Sequence, residues 1–552
     1  MPTDSHKSHE RGHTPGRVTR RGVLKTVLTA AGAGVASAVG VGAQKDPLLG
    51  GTGKGGKVPF KTPLGALDYI DKGQYLQNFE IVSFVKGPRI RAGEPLMVMW
   101  AKGPQRLIPA GGGWLDVTDP KNPVVVPLKK EGSVGGCVAY NTRLKKWLAV
   151  TSAGQPNTSA NPQYPYGRYH KEYFDKQTSH QGLRGIRVWD VTDPVQPNLL
   201  CEFSTGKTGS GTHHNFYDGG KYAYLDAGFS DQLRMENAQR AHSNALMIVD
   251  MTDPAKVKEV SRWWHPGQLV SEEEEYKKFI FAGDESSWPC SHGAPTVPVR
   301  VEDGGKVGYG GFGHFGMMVF DFSDIAKPKL FGKVRWDFET LGGIPYHTCY
   351  PVIADNNPKL QGLVIGVPET VLPDCREPFK PAQIIDVKDP GNPRVVGLFP
   401  RPKAPKEAPY TDFCFARGRF GTHNIHPWLA PGTSKPEFVA MTYFNAGIRA
   451  FDISDPTQPK ETAYFVVPRD SSLDDWDEYF RDGAESVFVE WDRNLVWVGT
   501  HQGTYCLSTP ALGKPLLEPR KIEKWTIAHG NAGWDDQTPA AVFLARGLNE
   551  LG

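Results

Sequence analysis

The sequence predicts an all-β chain closed into a single β-propeller, with seven four-stranded blades and long loops on one face. Three observations carry this. Six segments share one pattern, an apolar strand ending in Asp and then a turn with a second Asp and usually Pro: Gly113–Pro120, Ile186–Pro194, Leu246–Pro254, Met317–Asp324, Gln383–Pro390 and Ile448–Pro456. Gly (62) and Pro (46) make up about a fifth of the 552 residues, so turns are frequent. The intervening segments are β-branched and aromatic runs broken by Gly, Asn and Asp, without helical periodicity.

The first Asp of each copy (Asp116, Asp190, Asp250, Asp321, Asp386, Asp452) recurs at intervals of 74, 60, 71, 65 and 66 residues. A seventh, degenerate copy is Gly503–Leu507, with Ser508 in place of Asp. Six clear copies and one degenerate copy give seven blades, with six and eight the neighbouring counts. One such unit cannot bury both of its faces, whereas radial packing lets neighbours cover each other. In each unit, strands a to d run outward from the axis; the Asp-Pro turn links c to d, where Asp caps its own turn and Pro presets φ. In the fourth unit, a follows His292, b is Val307–Gly311, c is Met317–Asp321 and d starts at Lys329 and ends at Trp336. The d-to-a links and b-to-c loops then share one face. Long insertions fall there, at 155–183, 266–290 and 467–485, and the first carries Tyr164, Tyr166, Tyr169, Tyr173 and Phe174, a candidate aromatic lid.

The repeated motif resembles that of the LVIVD-repeat family of β-propellers over roughly residues 75 to 512. The resemblance implies the fold and says little about activity, because that family is defined by its repeat.

The amino terminus reads as an address. Thr19-Arg20-Arg21-Gly-Val-Leu-Lys25 precedes a small-residue apolar run, Thr26–Val41, and Val41-Gly-Ala43 offers a small-x-small cleavage site. This resembles a twin-arginine (Tat) export signal, with Val23 where that pattern prefers Phe; a Sec signal or an anchor is the alternative. The division that follows is signal peptide 1–43, extension 44–74, propeller 75–512 and tail 513–552. The resemblance implies passage through the Tat export machinery to the periplasm or the medium, a route often taken by proteins that acquire a cofactor before export. The leader holds Lys7, Arg11, Arg17, Arg20, Arg21 and Lys25 against Asp4 and Glu10; taking its +4 from the chain's +3 leaves −1. A near-neutral body excludes nucleic acid as an electrostatic partner. No stretch of the mature chain is long and apolar enough for a transmembrane segment. Seven cysteines, widely and irregularly spaced and without C-x-x-C, exclude a zinc ribbon and a disulfide framework; the periplasm would allow one or two bridges, whose pairing the spacing does not identify.

Histidines stand at equivalent places in four consecutive units, at the mouth of strand a: Thr212-His213-His214-Asn215, Ser291-His292-Gly293, Tyr346-His347-Thr348 and Thr422-His423-Asn424. Innermost strands surround the axis, so these side chains are expected to converge from one rim as metal ligands: His213, His292, His347 and His423. His214 is the alternative to His213, since adjacent strand residues face opposite ways; aligning Gly211-Thr-His213 with Gly421-Thr-His423 favours His213. Imidazoles suit Fe, Cu or Zn rather than Mg or Ca. The arrangement is similar in geometry to the four-His iron centre of carotenoid-cleaving oxygenases, without a sequence match. A histidine that only stabilises its own blade is the competing reading, but the units ending at Asp116 and Asp190 keep the repeat Asp and lack the His. Candidate acid–base residues are His314 (Gly313-His-Phe), His501 (Thr500-His-Gln) and Glu485, whose carboxylate would orient a ligand imidazole. Asn445 is a further loop candidate, Glu369 and Asp226 are weaker supporting carboxylates, and His426 reads as packing. His170, His180 and His242 carry no specific signal.

The sequence therefore points to an exported enzyme with one transition metal ion on the axis, Fe or Cu favoured and Zn possible. The expected chemistry is that of an oxidoreductase acting on a small apolar or phenolic substrate. Zinc in the same place would give a metallohydrolase, and absence of metal a binding or adhesion propeller, because fold does not select function.

Overall fold

In the computed structural model, the described residues are 71–525 apart from 91–98, 155–181, 208, 230–232, 234–243, 277, 279–289, 336–343, 355–356, 371–372, 376, 428, 470–482 and 524. The leader with Arg20 and Arg21, the candidate lid (Tyr164, Tyr166, Tyr169, Tyr173, Phe174), His170, His180 and His242 lie outside them.

Seven antiparallel sheets follow one another along the chain, and each contains one copy of the repeat as its c strand. Blade 1 comprises β1 (Trp100–Lys102), β2 (Gln105–Ala110), β3 (Gly113–Asp116) and β4 (Val124–Val126); blade 2 comprises β5 (Cys137–Asn141), β6 (Lys146–Ala153), β7 (Gly185–Asp190) and β8 (Asn198–Ser204). Blade 3 holds β9 (Gly211–Thr212), β10 (Tyr222–Gly228), β11 (Ala245–Asp250) and β12 (Lys258–Trp263). Blade 4 holds β13 (Val307–Gly311), β14 (Met317–Asp321) and β15 (Lys329–Val334), its innermost segment reduced to a bridge between Thr296 and Tyr309. Blade 5 is β16 (Ile344–Pro351), β17 (Leu363–Glu369), β18 (Gln383–Asp386) and β19 (Arg394–Leu398). Blade 6 has β20 (Phe438–Thr442), β21 (Ile448–Asp452) and β22 (Lys460–Val466), with an inner bridge from Ile425 to Met441. Blade 7 has β23 (Ala484–Glu490), β24 (Leu495–Thr500) and β25 (Gly503–Ser508).

The repeat has a mechanical reason. The first Asp of every copy accepts the amide two residues on, from Thr118 at 2.9 Å, Thr192 at 3.0 Å, Thr252 at 2.7 Å, Ser323 at 2.8 Å, Lys388 at 3.0 Å and Ser454 at 2.8 Å. The second Asp repeats the bond one turn later, as Asp253 does from Ala255 at 3.1 Å and Asp455 from Thr457 at 3.0 Å. Each c-to-d link is thus two Asx turns in series. A shift of register between c and d recurs in blades 2 to 7, the signature of a bulge that increases twist. The b and c strands, such as β17 and β11, are buried on both faces apart from the repeat Asp, whereas d strands such as β8 mix exposed and half-buried residues.

Closure of the ring uses the opposite end of the chain. The segment Glu80–Lys86 pairs with β25 as the outer strand of blade 7, and Tyr75–Gln77 pairs with β22 at the edge of blade 6. A buried ion-pair clasp joins blades 7 and 1. Glu490 accepts from Arg106 Nη1 at 3.0 Å, Arg493 Nη2 at 2.6 Å and Trp497 Nε1 at 2.8 Å, and Arg106 also pairs with Asp492 at 2.7 Å. Arg493 reaches the carbonyls of Val117 and Thr118 in blade 1. The tail continues across this seam, with Arg106 Nη2 donating to the Arg520 carbonyl and Trp525 buried in a bridge to Pro431. One disulfide, Cys375–Cys414, closes a loop of sequence separation 39. No helix among the described residues is long and apolar enough to cross a membrane.

Candidate metal centre

Two of the four histidine-bearing segments are built alike, which explains their common Gly-Thr-His. Gly211 (φ +77°) lies so close to the neighbouring blade that a Cβ would sit 2.1 Å from the Ala153 carbonyl oxygen. Thr212 Oγ1 donates to the Gly185 carbonyl of blade 2 at 2.6 Å, and Thr422 Oγ1 to the Pro368 carbonyl of blade 5 at 2.7 Å. The following histidine amides return to their own blades, His213 N–H to the Asp226 carbonyl and His423 N–H to that of Thr442, each at 3.0 Å. Each histidine is therefore fixed at a seam between two blades.

His292 enters from blade 4, with its amide on the Gly311 carbonyl at 3.2 Å. His347 sits in β16 where the pairing with β17 jumps from Ile344↔Glu369 to Thr348↔Val367. Such an irregularity re-aims side chains, and it turns His347 toward Glu369 at the end of the adjacent strand. Its Nδ1 is held by Thr348 Oγ1 at 2.6 Å.

The rings form a continuous row. Centroid separations are 4.7 Å for His213–His292, 4.2 Å for His292–His347 and 5.1 Å for His347–His423. His214 belongs to the row as well, 3.7 Å from His213 and 5.3 Å from His292. The either–or between His213 and His214 assumed strand alternation, but β9 ends at Thr212 and both rings then turn to the same side. The repeat Asp stands at the other end of its strands, Asp250 opposite Tyr222 while Thr212, next to His213, pairs with Ala227, so this histidine segment is not placed to staple the repeat Asp of its own blade.

Glu369, read from sequence as a supporting carboxylate only, is the centre of one end of the cluster. Its Oε2 lies 3.6 Å from His292 Nε2 and 3.7 Å from His347 Nε2, and its Oε1 lies 3.8 Å from His423 Nε2. These separations exceed a hydrogen bond. They match two donors on one ion at ~2.1 Å subtending about 120–130°. The buried Arg419 donates to Glu369 Oε1 and, through Nε, to the Thr370 carbonyl at 2.7 Å, while its guanidinium lies 3.6 Å over the Phe444 ring. Phe444 adopts a positive φ of 45° and stacks on His423 at 4.8 Å; a non-glycine residue held there marks a site where the surroundings impose the conformation.

Burial holds His347 well below the usual imidazole range, and the neighbouring His423, His214, His213 and Arg419 add to it. Burial also lowers His423, partly opposed by Glu369. Neutral imidazoles with available lone pairs are the form that binds metal. Behind His213 and His214, burial raises the Asp226 carboxyl to about 6 although Ser291, Asn244 at 3.0 Å and the His214 amide donate to it.

The expected acid–base residues take other positions. Glu485 spends its carboxylate on Arg89; it is the Glu485 carbonyl that faces His423 Nδ1 at 3.0 Å and accepts from Asn424 at 2.8 Å. The orienting group is thus a peptide oxygen in place of a side-chain acid. His314 is buried in the single turn Gly313–Phe315 against β16. His501 is half-buried, with its amide on the Gly483 carbonyl at 3.3 Å. Among the described residues neither ring joins the ring contacts of the cluster. Asn445 donates to the Phe413 and Arg417 carbonyls and holds its loop. His426 packs between Tyr350 and Trp491, at 4.8 and 5.2 Å. His265, which carries no sequence signal, is buried against Phe315 at 3.9 Å, its Nε2 2.9 Å from Lys333 Nζ.

No protein-family model matches this chain, and no curated protein matches it. Among solved structures it is similar to U3-55K, at 8% identity and a TM-score of 0.39, over 78% of this chain and 98% of that one. It is also similar to the Myceliophteria thermophila Cps50 (Swd1) β-propeller domain, at 9% identity and 0.41, over 77% and 99%. For Saccharomyces cerevisiae Sqt1 the values are 8% and 0.41, over 78% and 86%. Likenesses at this level carry no argument about the site; the propeller rests on the strand pairing itself.

Proposed function

We propose that this protein is an exported metal-dependent enzyme, an oxidoreductase that uses Fe or Cu held by the histidine cluster. The observation that supports it is the convergence of three imidazole Nε2 atoms, from His292, His347 and His423, on one carboxylate at 3.6–3.8 Å. Imidazoles with a single carboxylate and open positions are the donor set of non-haem Fe(II) oxygenases, and imidazole equally suits Cu. Bound there, such an ion supplies electron transfer and a Lewis-acidic site for dioxygen or substrate.

The chain's own contributions follow from its contacts. His347 and His423, held neutral by burial, present donors, and His292 adds a third imidazole. Thr348 orients His347 from behind and the Glu485 carbonyl orients His423. Arg419 neutralises Glu369 and fixes its rotamer, leaving Oε2 directed at the imidazoles. His213, His214 and His423 are the partly exposed members and mark the side from which substrate enters. A small apolar or phenolic substrate remains part of this reading, on the strength of the aromatic insertion 155–183. Export through the twin-arginine route likewise rests on Arg20 and Arg21, and their joint replacement by Lys should trap precursor in the cytoplasm.

Because a nitrogen-rich set with one carboxylate also accepts Zn, a hydrolase using a metal-lowered water is the second reading. Elemental analysis of protein purified after export by its own signal separates them. Fe or Cu with redox activity supports the first, stoichiometric Zn the second, and metal-free protein would exclude both in favour of a binding propeller.

A further inference from the structure

The cluster contains more donors than one ion uses, and they are arranged in two groups. The ligand atoms of His213, His214 and His292 lie within 4.8 Å of one another, and so do those of His292, His347 and Glu369. Only His292 belongs to both. Around a single ion at ~2.1 Å, even two donors on opposite sides are no more than about 4.2 Å apart, and adjacent ones about 3–3.5 Å. Five imidazoles and a carboxylate spread in a row from blade 3 to blade 6 cannot all satisfy that limit. The centroid steps of 4.7, 4.2 and 5.1 Å along His213–His292–His347–His423 describe this row.

We propose that the site binds two transition-metal ions side by side, one held by His347, His423 and Glu369, the other by His213 and His214, with His292 between them and common to both. The proposal deepens the metal-centre reading and rests on it. An imidazole common to two ions bridges them through Nδ1 and Nε2 once it has released its ring proton, which at ~2.1 Å per bond sets the ions ~6 Å apart, a separation that the centroid steps of 4.7 and 4.2 Å on either side of His292 accommodate.

Charge is distributed to match. Each half has one buried carboxylate. Glu369 faces the inner half directly. Asp226 lies behind the outer half, where it accepts from the His214 amide and from Ser291 Oγ, the residue next to His292. That second carboxylate also joins the strand ends that carry the outer ligands, since the Asp226 carbonyl receives the His213 amide. Asn244 fixes its remaining oxygen at 3.0 Å. Arg419 adds a positive charge on the inner side only, paired with the Glu369 oxygen farther from His292 and His347. The outer half is also the more accessible: both of its own histidines, His213 and His214, are half-buried, whereas in the inner half only His423 is, and His347 and Glu369 are buried together with the shared His292. The inner ion would be retained more tightly and the outer one lost first to chelators.

The test is a titration of chelator-stripped, full-length protein with Co(II) alone, read by ligand-field absorption and by the magnetic coupling that two adjacent Co(II) ions show. Wild type should saturate at two ions per chain, with the paramagnetic signal of the first attenuated as the second binds. The His213→Ala/His214→Ala variant should saturate at one, uncoupled, and the His347→Ala/His423→Ala variant should lose the tighter site. Glutamine replacements at the same positions provide the comparison if an alanine variant fails to fold by circular dichroism. Saturation of the wild type at one ion, with unchanged affinity in the His213/His214 variant, would overturn the two-ion proposal and leave the single metal centre standing. Two ions in both proteins would overturn it as well, since the second would then sit elsewhere. No binding at all would remove the metal centre itself.

Discussion

Replacing Glu369 by Gln separates the electrostatic role of this carboxylate from its shape. Glu369 is buried, is the partner of buried Arg419, and faces three imidazoles at 3.6–3.8 Å. In Glu369→Gln the guanidinium of Arg419 keeps the Thr370 carbonyl and the Phe444 ring but loses its counter-charge. Removing one partner of a buried ion pair costs ~3–5 kcal/mol, and the retained contacts offset part of that, leaving a loss of about 2–4 kcal/mol. A cooperative unit this long shifts its Tm by only about 1 °C per kcal/mol, so the urea midpoint is the better assay. Metal affinity in the same variant should fall at least ~10-fold, the lower bound for loss of a supporting carboxylate. The Glu369→Gln/Arg419→Gln double variant removes the stranded charge and should recover at least half of the stability while metal affinity stays low. Recovery of both, or full metal affinity in the single variant, would refute the placement of this carboxylate among the ligands.

Three further outcomes test the fold that carries the site. Burial holds His265 and His426 neutral down to about pH 4, whereas unfolded His titrates near ~6.5. The unfolded chain therefore gains protons first, so this stability is complete above pH ~6.5 and is lost as pH falls toward 4, by at most ~3 kcal/mol per residue; a urea midpoint constant from pH 7 to 4.5 would contradict this. Glu490→Gln in the blade 7 to blade 1 clasp should cost about 3–5 kcal/mol with metal content unchanged, and an unaltered urea midpoint would show that the clasp does not hold the ring closed. Replacing Cys375 and Cys414 together by Ser opens a loop of separation 39 and should cost ~4 kcal/mol on chain-entropy grounds; equal stability of the two proteins would dismiss the bridge as a stabiliser.

The sequence by itself determined the blades, because each repeat encodes a local device. An Asp that caps its own turn two residues on needs no distant partner, so Asp190-Val-Thr-Asp193 or Asp452-Ile-Ser-Asp455 can be read wherever it occurs. The strands Val307–Gly311 and Met317–Asp321 were legible for the same reason, as apolar runs between punctuating turns. The four histidine positions were legible because they recur at one place in consecutive repeats.

What the tertiary structure alone decided is everything that depends on a second blade. Glu369 becomes the focus of the cluster only because a break in register turns His347 toward it and because Arg419, fifty residues away in sequence, supplies its counter-charge. His214 joins the row because the strand ends at Thr212, an event set by the packing of Gly211 against Ala153 and invisible to alternation. His423 is oriented by a carbonyl of Glu485, and peptide oxygens carry no sequence signal. The N-terminal strand completes blade 7 through bonds between residues more than 400 positions apart, such as Glu80 with Ser508. Local turn chemistry is written residue by residue, whereas convergence on an axis is a property of ring closure.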